Sequence, residues 1–475
     1  MPALTENKTR TYSRVALGLT FFLFLCILLL SFADQSLLSP LLNPLLQDFF
    51  NATNNVVPLG WVTFVFTLLT ALSMIAAGIL GDRKSRKKIC FTGLIIYSVF
   101  SMMTILVPHG QAGYVFFFIT RALNGVGIGA IVPTIFSMVG DTVHSKRRAT
   151  AFGYVSASII IGRLIGFFVA GSLADQWRLA YFSLGVTSFL LAFGLLMIRE
   201  PKRGSQEREL RDVLLEGAEY RFRISRKDIK TLRSAKSNFW LIINFIDVFP
   251  GAIIIFLIFK YMEDIHNMAV GAVNFVIFLV VIAAAAGALI FGRLGDWGFQ
   301  KDKRARALVA MACNIVPVLF MVIFVSAEFW IPEGVNLRET LAVPGVWPVV
   351  AAILAAMFIN QGVNPNWYSS LTDVNLPEHR ATMISLASVM DMIGMAVGPL
   401  IASFMATAWG LRTAMWAVLV FWILNIFLWI PVIRFIRGDL SRIHDVLQER
   451  AKEISSAATS SGVEIKDIRS DNKQV

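Results

Sequence analysis

This chain has little charge: Asp, Glu, Lys and Arg make up 16% of its 475 residues, against 56% hydrophobic residues. A water-soluble core could not hide that much apolar surface, and a mean hydropathy of +0.67 calls for lipid as the solvent of most of the chain. Cysteine is scarce too. Cys26, Cys90 and Cys313 all lie inside apolar runs, which gives no disulfide framework and no metal-ligand spacing. The histidines, at 109, 144, 266, 379 and 444, fall in predicted loops or tails, which argues against a histidine proton relay in the membrane. No G-x-x-x-x-G-K-[ST] stretch occurs, so ATP hydrolysis is not expected. No cofactor and no enzymatic chemistry are expected either. The net charge is +12, yet the cations sit in loops beside apolar runs. There they set topology and meet anionic headgroups, and no nucleic-acid partner is implied.

The cations gather around one stretch. Gly78-Ile79-Leu80-Gly81-Asp82 closes an apolar run, and Arg83, Lys84, Arg86, Lys87 and Lys88 follow before the next run begins at Ile89. Gly292-Arg293-Leu294-Gly295-Asp296 echoes it, with Lys301, Lys303, Arg304 and Arg306 behind. A turn between two membrane helices on the cytoplasmic side requires such a step from apolar to cationic.

Both copies resemble the loop signature of the major facilitator superfamily, between the second and third spans and again between the eighth and ninth. Asp82, Arg86 and Lys87 match it, and Ser85 stands where a glycine is usual. The resemblance covers about Arg14 to Ile436.

In chain order the sequence predicts an all-α polytopic membrane protein with twelve transmembrane helices in two six-helix pseudo-symmetric halves. Residues 1–13 form a cytoplasmic N-terminal tail, 14–198 the first half, 199–236 a cytoplasmic linker, 237–436 the second half and 437–475 a cytoplasmic tail, disordered at its end. The first span is expected to run from Arg14 to about Leu46, broken by Asp34, Pro40 and Pro44; it is too long, and lacks the small-residue site, for a cleaved signal. The others read as Pro58–Leu80, Lys88–Val107, Tyr114–Val139, Ala149–Leu173, Leu179–Ile198, Phe239–Met262, Met268–Leu294, Ala305–Ser326, Gly345–Leu371, Ala381–Thr407 and Thr413–Ile436. Within the linker, Glu207–Arg223 reads as an amphipathic helix on the membrane surface. Loops after even-numbered spans are rich in cations and those after odd-numbered ones are poor, which places both termini in the cytoplasm of a cell-membrane protein.

The halves repeat each other. Pro133 pairs with Pro365, Asp141 with Asp373, Arg148-Ala149-Thr150 with Arg380-Ala381-Thr382, Gly162 with Gly394, and Phe32-Ala33-Asp34 with Phe245-Ile246-Asp247. Such a repeat is the architecture of transporters that rock around a site at the bilayer midplane.

Ionisable groups inside predicted spans each cost roughly 2.5–3.5 kcal/mol on insertion scales, so Asp34, Arg121, Arg163, Asp247 and Asp391 are functional candidates. Arg121 opens Arg121-Ala122-Leu123-Asn124-Gly125-Val126-Gly127-Ile128-Gly129, similar to the superfamily's fourth-span motif. Helical rise puts Asp34 and Arg121 at compatible depth, and the expected arrangement is a proton-coupling pair: Asp34 accepts the proton and Arg121 is its partner or an anion contact. Arg163, in Gly162-Arg163-Leu164-Ile165-Gly166, is expected to hold an anionic headgroup or to pair with Asp34. Asp247 and Asp391 read as substrate contacts, a second proton site or packing partners. The span-ten cluster Asn360, Gln361, Asn364, Asn366, Trp367 and Tyr368 reads as substrate lining, with helix–helix hydrogen bonding as the alternative. By resemblance, Gly78, Asp82, Arg86, Asp141, Arg148, Gly292, Asp296, Asp373 and Arg380 form a cytoplasmic gate.

Within the superfamily the first half is most similar to the spinster-type lipid transporters. The residues that carry this are Asp34 with the Pro-containing run Leu37–Leu46, Arg83 directly after Asp82, and Arg121 with Pro133-Thr134 downstream; Gln35, and Gly127-Ile128-Gly129-Ala130, depart from that pattern. The resemblance implies a secondary active, proton-coupled, alternating-access transporter of an amphipathic or organic anionic molecule, with lysophospholipid or sphingoid lipids as substrates. The alternatives are a multidrug or sugar and metabolite carrier, or a non-transporting membrane sensor on the same fold. The expected partners are that substrate, protons and membrane lipids around a monomer.

Overall fold

A computed structural model of the chain describes residues 14–142, 148–198, 200, 235–332, 335, 337–375 and 377–460. These residues are helical, with no strand among them. Twelve spans are long and apolar enough to cross a membrane: Gly18–Ser36, Val57–Gly81, Arg86–Leu106, Gly110–Val139, Tyr154–Ser172, Ala174–Met197, Lys236–His266, Val270–Lys301, Ala305–Ser326, Val346–Leu371, Leu386–Trp409 and Leu411–Asp445. Phe22, Leu190, Leu289, Leu319 and Phe427 point outward and are exposed. On a soluble protein so many outward apolar side chains would drive aggregation; in lipid they are solvated. The expected linker helix Glu207–Arg223 lies outside the described residues.

Several spans are less regular than the apolar runs suggest. The first is broken, as expected, but around Pro40 alone: its helix ends at Ser36, a turn follows, and a separate short helix covers Leu42–Phe50. Pro40 has no N–H to donate and disfavours the α conformation of Ser39, so the chain turns there. The seventh span is interrupted by a 3₁₀ turn at Asn244–Asp247, and the tenth is two helices, Val346–Asn360 and Val363–Asp373. The loop before the tenth span carries a helix of its own, Leu337–Ala342. The last helix does not stop near Ile436 but runs from Leu411 to Ser460.

The first six spans pack mainly on one another, and so do the last six. Within the first half the fourth-span glycines serve close approach: a Cβ on Gly125 or Gly129 would collide with the backbone of the second span at Phe66 or Thr70, and one on Gly127 with the third at Tyr97. The halves meet through the second span with the eleventh and the fifth with the eighth.

The buried apolar residues show where that meeting lies. The largest cluster joins both halves at the end away from the chain termini, with Leu37, Leu41, Leu45 and Leu59 beside Phe256, Phe259, Ala402 and Ala406. Two smaller clusters lie toward the other end, one per half, around Ile27, Leu94 and Ile135 and around Leu241, Leu371 and Trp429. The halves are thus sealed by hydrophobic burial at one end, and each keeps its own core at the other.

Candidate functional site

Asp34 lies in the last turn of the first span's helix, which ends at Ser36, and is fully buried. Its Oδ2 accepts from Arg121 Nη1 at 2.7 Å, and its Oδ1 accepts from the Ser101 hydroxyl at 2.7 Å. The Arg121 guanidinium lies over the rings of Phe66 and Tyr181, at 4.7 and 4.8 Å. Two faces of the cation therefore meet aromatic quadrupoles while its edge meets the carboxylate, which offsets much of the cost of holding it in lipid.

Arg163 does not join this pair. Gly162 and Gly166 seat the fifth span directly on Leu29 and Ala33 of the first, which sets Arg163 beside Phe32, its guanidinium 5.6 Å from the ring. No carboxylate or hydrogen-bond acceptor engages it among the described residues. It faces a cavity between the halves, lined also by Gln35, Phe66, Arg121, Phe256 and Pro399. The walls are largely apolar, and the two cations stand on the same side.

Asp247 and Asp391 come together in a second, much smaller cavity, with Asn244, Asn364 and Trp367. It lies one helical turn along the seventh and eleventh spans from the larger one, since Val248 and Asp391 line it and Ala252 and Met395 line the other. Asp247 Oδ1 is buried without a hydrogen-bond partner.

The span-ten cluster divides. Asn364 and Trp367 reach the smaller cavity, although the Trp367 indole also donates to the Leu241 carbonyl at 2.7 Å. Asn366 does not line either cavity; its amide donates to the carbonyls of Gly362 at 2.8 Å and Phe291 at 3.1 Å. Asn360 begins a buried ladder: it donates to Asn314, Asn314 donates to Asn425 at 2.8 Å, and Asn425 to Asn244. That ladder joins four spans by hydrogen bonds in lipid. Gln361 occupies the break between the two helices, and Tyr368 packs edge-on against Trp367.

Of the expected gate residues, the side chains of Asp82, Asp141, Arg148 and Arg380 lie outside what the structure describes. Gly78 has open space around it and Gly292 touches Pro365. Arg306, which the sequence reading did not single out, bridges Asp296 at 2.7 Å and Asp373. Arg86 is buried and reaches Ser137 at 2.8 Å and Glu200.

Ser85 proves to be a helix cap. It accepts from the Lys88 amide and donates to Glu200 at 2.5 Å, while Glu200 also accepts from the Arg86 amide at 2.9 Å. A carboxylate is thereby fixed at the positive end of the third span. Partial burial opposes its charge, but the Ser85 hydroxyl and the Arg86 amide and guanidinium hold Glu200 below the usual Glu range. A lowered folded value means that its contribution is full above the ordinary range and is lost as pH falls through the folded value. Glu200→Gln is therefore expected to lower the melting temperature by about 1–3 °C near neutrality. The gap to wild type should close below about pH 4; a pH-independent gap would mean that charge plays no part.

At the sealed end the sequence reading also overlooked Lys260, although it lies inside the predicted run Phe239–Met262, where the rule that flagged Asp34 applies equally. Lys260 is buried, donates to Asp264 at 2.6 Å, and reaches Asn43 across the interface. The Asn43 amide donates to Glu263 and Asp264, each at 2.8 Å. With Ser39 donating to the Phe256 carbonyl at 3.3 Å and Thr407 accepting from the Val56 amide at 3.2 Å, these bonds tie the halves together.

The sequence model of the Major Facilitator Superfamily matches residues 24–343 and 337–472. Multidrug resistance protein 1 of Bacillus subtilis (strain 168) is 28% identical over 196 residues, 41% of this chain and 49% of that protein. The quinolone resistance protein NorA of Staphylococcus aureus (strain Mu50) is 27% identical over 151 residues, 31% of this chain and 37% of that one. The chain thus spans half or less of the length of these curated relatives. Among solved structures, it is similar to a bacterial homolog of the human lysosomal transporter Spinster in an inward-facing and unoccupied conformation. The TM-score is 0.72 at 19% identity, over 90% of this chain and 99% of that one. A D-xylose-proton symporter gives 0.66 at 13% identity, over 89% and 99%. At such identities the likeness is one of fold.

Proposed function

Because this chain belongs to the major facilitator superfamily, we propose that it is a proton-coupled, alternating-access carrier of an amphipathic organic anion, with lysophospholipid or sphingoid lipids as its substrate class. One observation carries the anion: Arg163 presents to a largely apolar cavity a guanidinium that has no acceptor among the described residues. A cation in lipid costs several kcal/mol unless something compensates it. An anionic headgroup supplies the missing partner, and the apolar walls accept a chain. The adjacent Asp34–Arg121 pair supplies a carboxylate for the proton.

With both termini placed in the cytoplasm, the sealed end is the outer one, and the conformation described faces inward. The Arg306–Asp296–Asp373 group and Arg86 then belong to the cytoplasmic gate, which closes in the opposite state. The protein sits in the cell membrane and acts as a monomer.

Uptake into proteoliposomes of a matched series of anionic lysophospholipids, cationic sphingoid bases, neutral sugars and cationic drugs tests this. Arg163→Gln is expected to raise KM for the anionic member at least tenfold with the melting temperature unchanged, and Arg163→Lys to fall between. An unchanged KM would remove Arg163 from the site. The apolar lining also favours a second reading, a multidrug carrier, and transport of cationic drugs improved by Arg163→Gln would support that instead. Binding without flux would mark a sensor.

A further inference from the structure

Ser101 has one hydroxyl hydrogen and two acceptors within reach. On the third span its Oγ lies 2.7 Å from Asp34 Oδ1 and 3.0 Å from the backbone carbonyl of Tyr181 on the sixth, and the residue is fully buried. One hydrogen cannot serve both acceptors. The pair of distances is therefore a choice between two arrangements, and the choice is set by Asp34.

We infer that Ser101 is a hydroxyl rotor that matches its hydrogen bond to the protonation state of Asp34, an inference that rests on the proton-coupling role assigned to Asp34 above. When Asp34 is ionised, Ser101 donates to Oδ1. When a proton from the cavity binds Oδ1, that new O–H donates to Ser101 Oγ, and the Ser101 hydrogen turns to the Tyr181 carbonyl. Oδ2 accepts from Arg121 in both states. No bond to the serine proton breaks, so Ser101 does not conduct protons; it lets a fully buried carboxyl change charge without leaving a buried polar atom unpaired or setting two hydrogens face to face.

The surrounding charged and titratable groups leave this task to Ser101. Arg121, from the fourth span, is committed to Oδ2. Tyr97, on the third, donates to the Leu30 carbonyl and accepts from Ser188. The Tyr181 hydroxyl is buried and has no hydrogen-bond partner among the described residues, and Arg163, from the fifth span, lies over Phe32. No other hydroxyl hydrogen-bonds to Asp34 among the described residues.

Titration of the purified protein in liposomes by infrared difference spectroscopy tests the rotor without any substrate. The signal is the carbonyl stretch of the neutral carboxylic acid, assigned to Asp34 by its disappearance in Asp34→Asn. Ser101→Ala removes a charge-assisted bond to the carboxylate and a weaker neutral bond to the acid. The neutral acid gains by comparison, and the midpoint should move alkaline by about one pH unit, roughly tenfold in proton affinity. Ser101→Thr, which keeps the hydroxyl, should return it to the wild-type value. Should Ser101→Ala fail to fold, Ser101→Cys keeps the size, weakens the donor and should move the midpoint the same way by less.

A wild-type midpoint in Ser101→Ala, with the Asp34 band still assigned, would overturn the rotor and leave the coupling role of Asp34 standing. Absence of any Asp34 band between pH 4 and pH 10, about the range where carboxylic acids in proteins titrate, would overturn both.

Discussion

Asp34→Asn should fold, bind and exchange substrate, yet lose gradient-driven accumulation altogether. One proton crossing a one-unit pH gradient carries about 1.4 kcal/mol, enough for roughly tenfold accumulation; in the variant the ratio should fall to one. The environment explains why the fold survives. An asparagine can turn its carbonyl toward Arg121, as Oδ2 now does at 2.7 Å, and its amide toward Ser101 Oγ. It thereby imitates the neutral acid, frozen in that form. Asp34→Leu is the contrasting case, because it strands the Arg121 cation in a buried site and should cost about 3–5 kcal/mol of stability. If Asp34 and Arg121 were only a structural pair, Asp34→Asn would leave accumulation unchanged and only Asp34→Leu would cost stability. Full accumulation by Asp34→Asn, measured in proteoliposomes with an imposed pH gradient, would show that coupling resides elsewhere.

Gly60→Leu should cut exchange at least tenfold by denying the protein the conformation described. Gly60 sits where the second span meets the eleventh across the sealed end, and a Cβ there would overlap the Ser403 side chain and lie 3.5 Å from the Pro399 carbonyl. A leucine adds further carbons to a seam already packed, while leucine itself suits the interior of a helix. Each half can therefore fold, but the two cannot close at that end. Cross-linking reports this directly, since Thr407 and Asn55 are 3.4 Å apart across the seam. Cysteines at these positions should link readily in the parent and slowly in Gly60→Leu. Unimpaired exchange together with a lost cross-link would show that this closure is no part of the cycle.

The membrane class, the twelve spans and the family were legible because they depend on composition and on charge steps that lipid imposes along the chain. The same logic singled out Asp34, Arg121 and Arg163, since a charge in an apolar run stands out without any fold. Partners across space were another matter. Ser101 and Asn43 look like ordinary small polar residues, and only the packing of the third and seventh spans shows what they meet. The span-ten cluster was ambiguous for a physical reason: asparagine in lipid satisfies itself equally with a ligand or with another helix. Asn360 and Asn366 turned to neighbouring helices, whereas Asn364 turned to a cavity. Helix ends suffered most: the 3₁₀ turn at Asn244–Asp247 interrupts the seventh span inside a run that stays apolar on average, so averaged hydropathy does not mark it.

The last helix offers a mechanical consequence. Fifty residues, Leu411–Ser460, make a rod of about 75 Å, against a hydrocarbon layer of about 30 Å. Its base is gripped by the second half through Trp422, Asn425 and Trp429, all fully buried, so under the alternating-access cycle proposed above the stretch beyond Ile436 would turn with that half as a pointer fixed to a dial. That stretch is roughly 36 Å long, and a tilt of about 10° at its base sweeps the tip by about 6 Å. A small angular change deep in the bilayer is thereby enlarged into a displacement in the aqueous phase, where a spin label or a dye can read it.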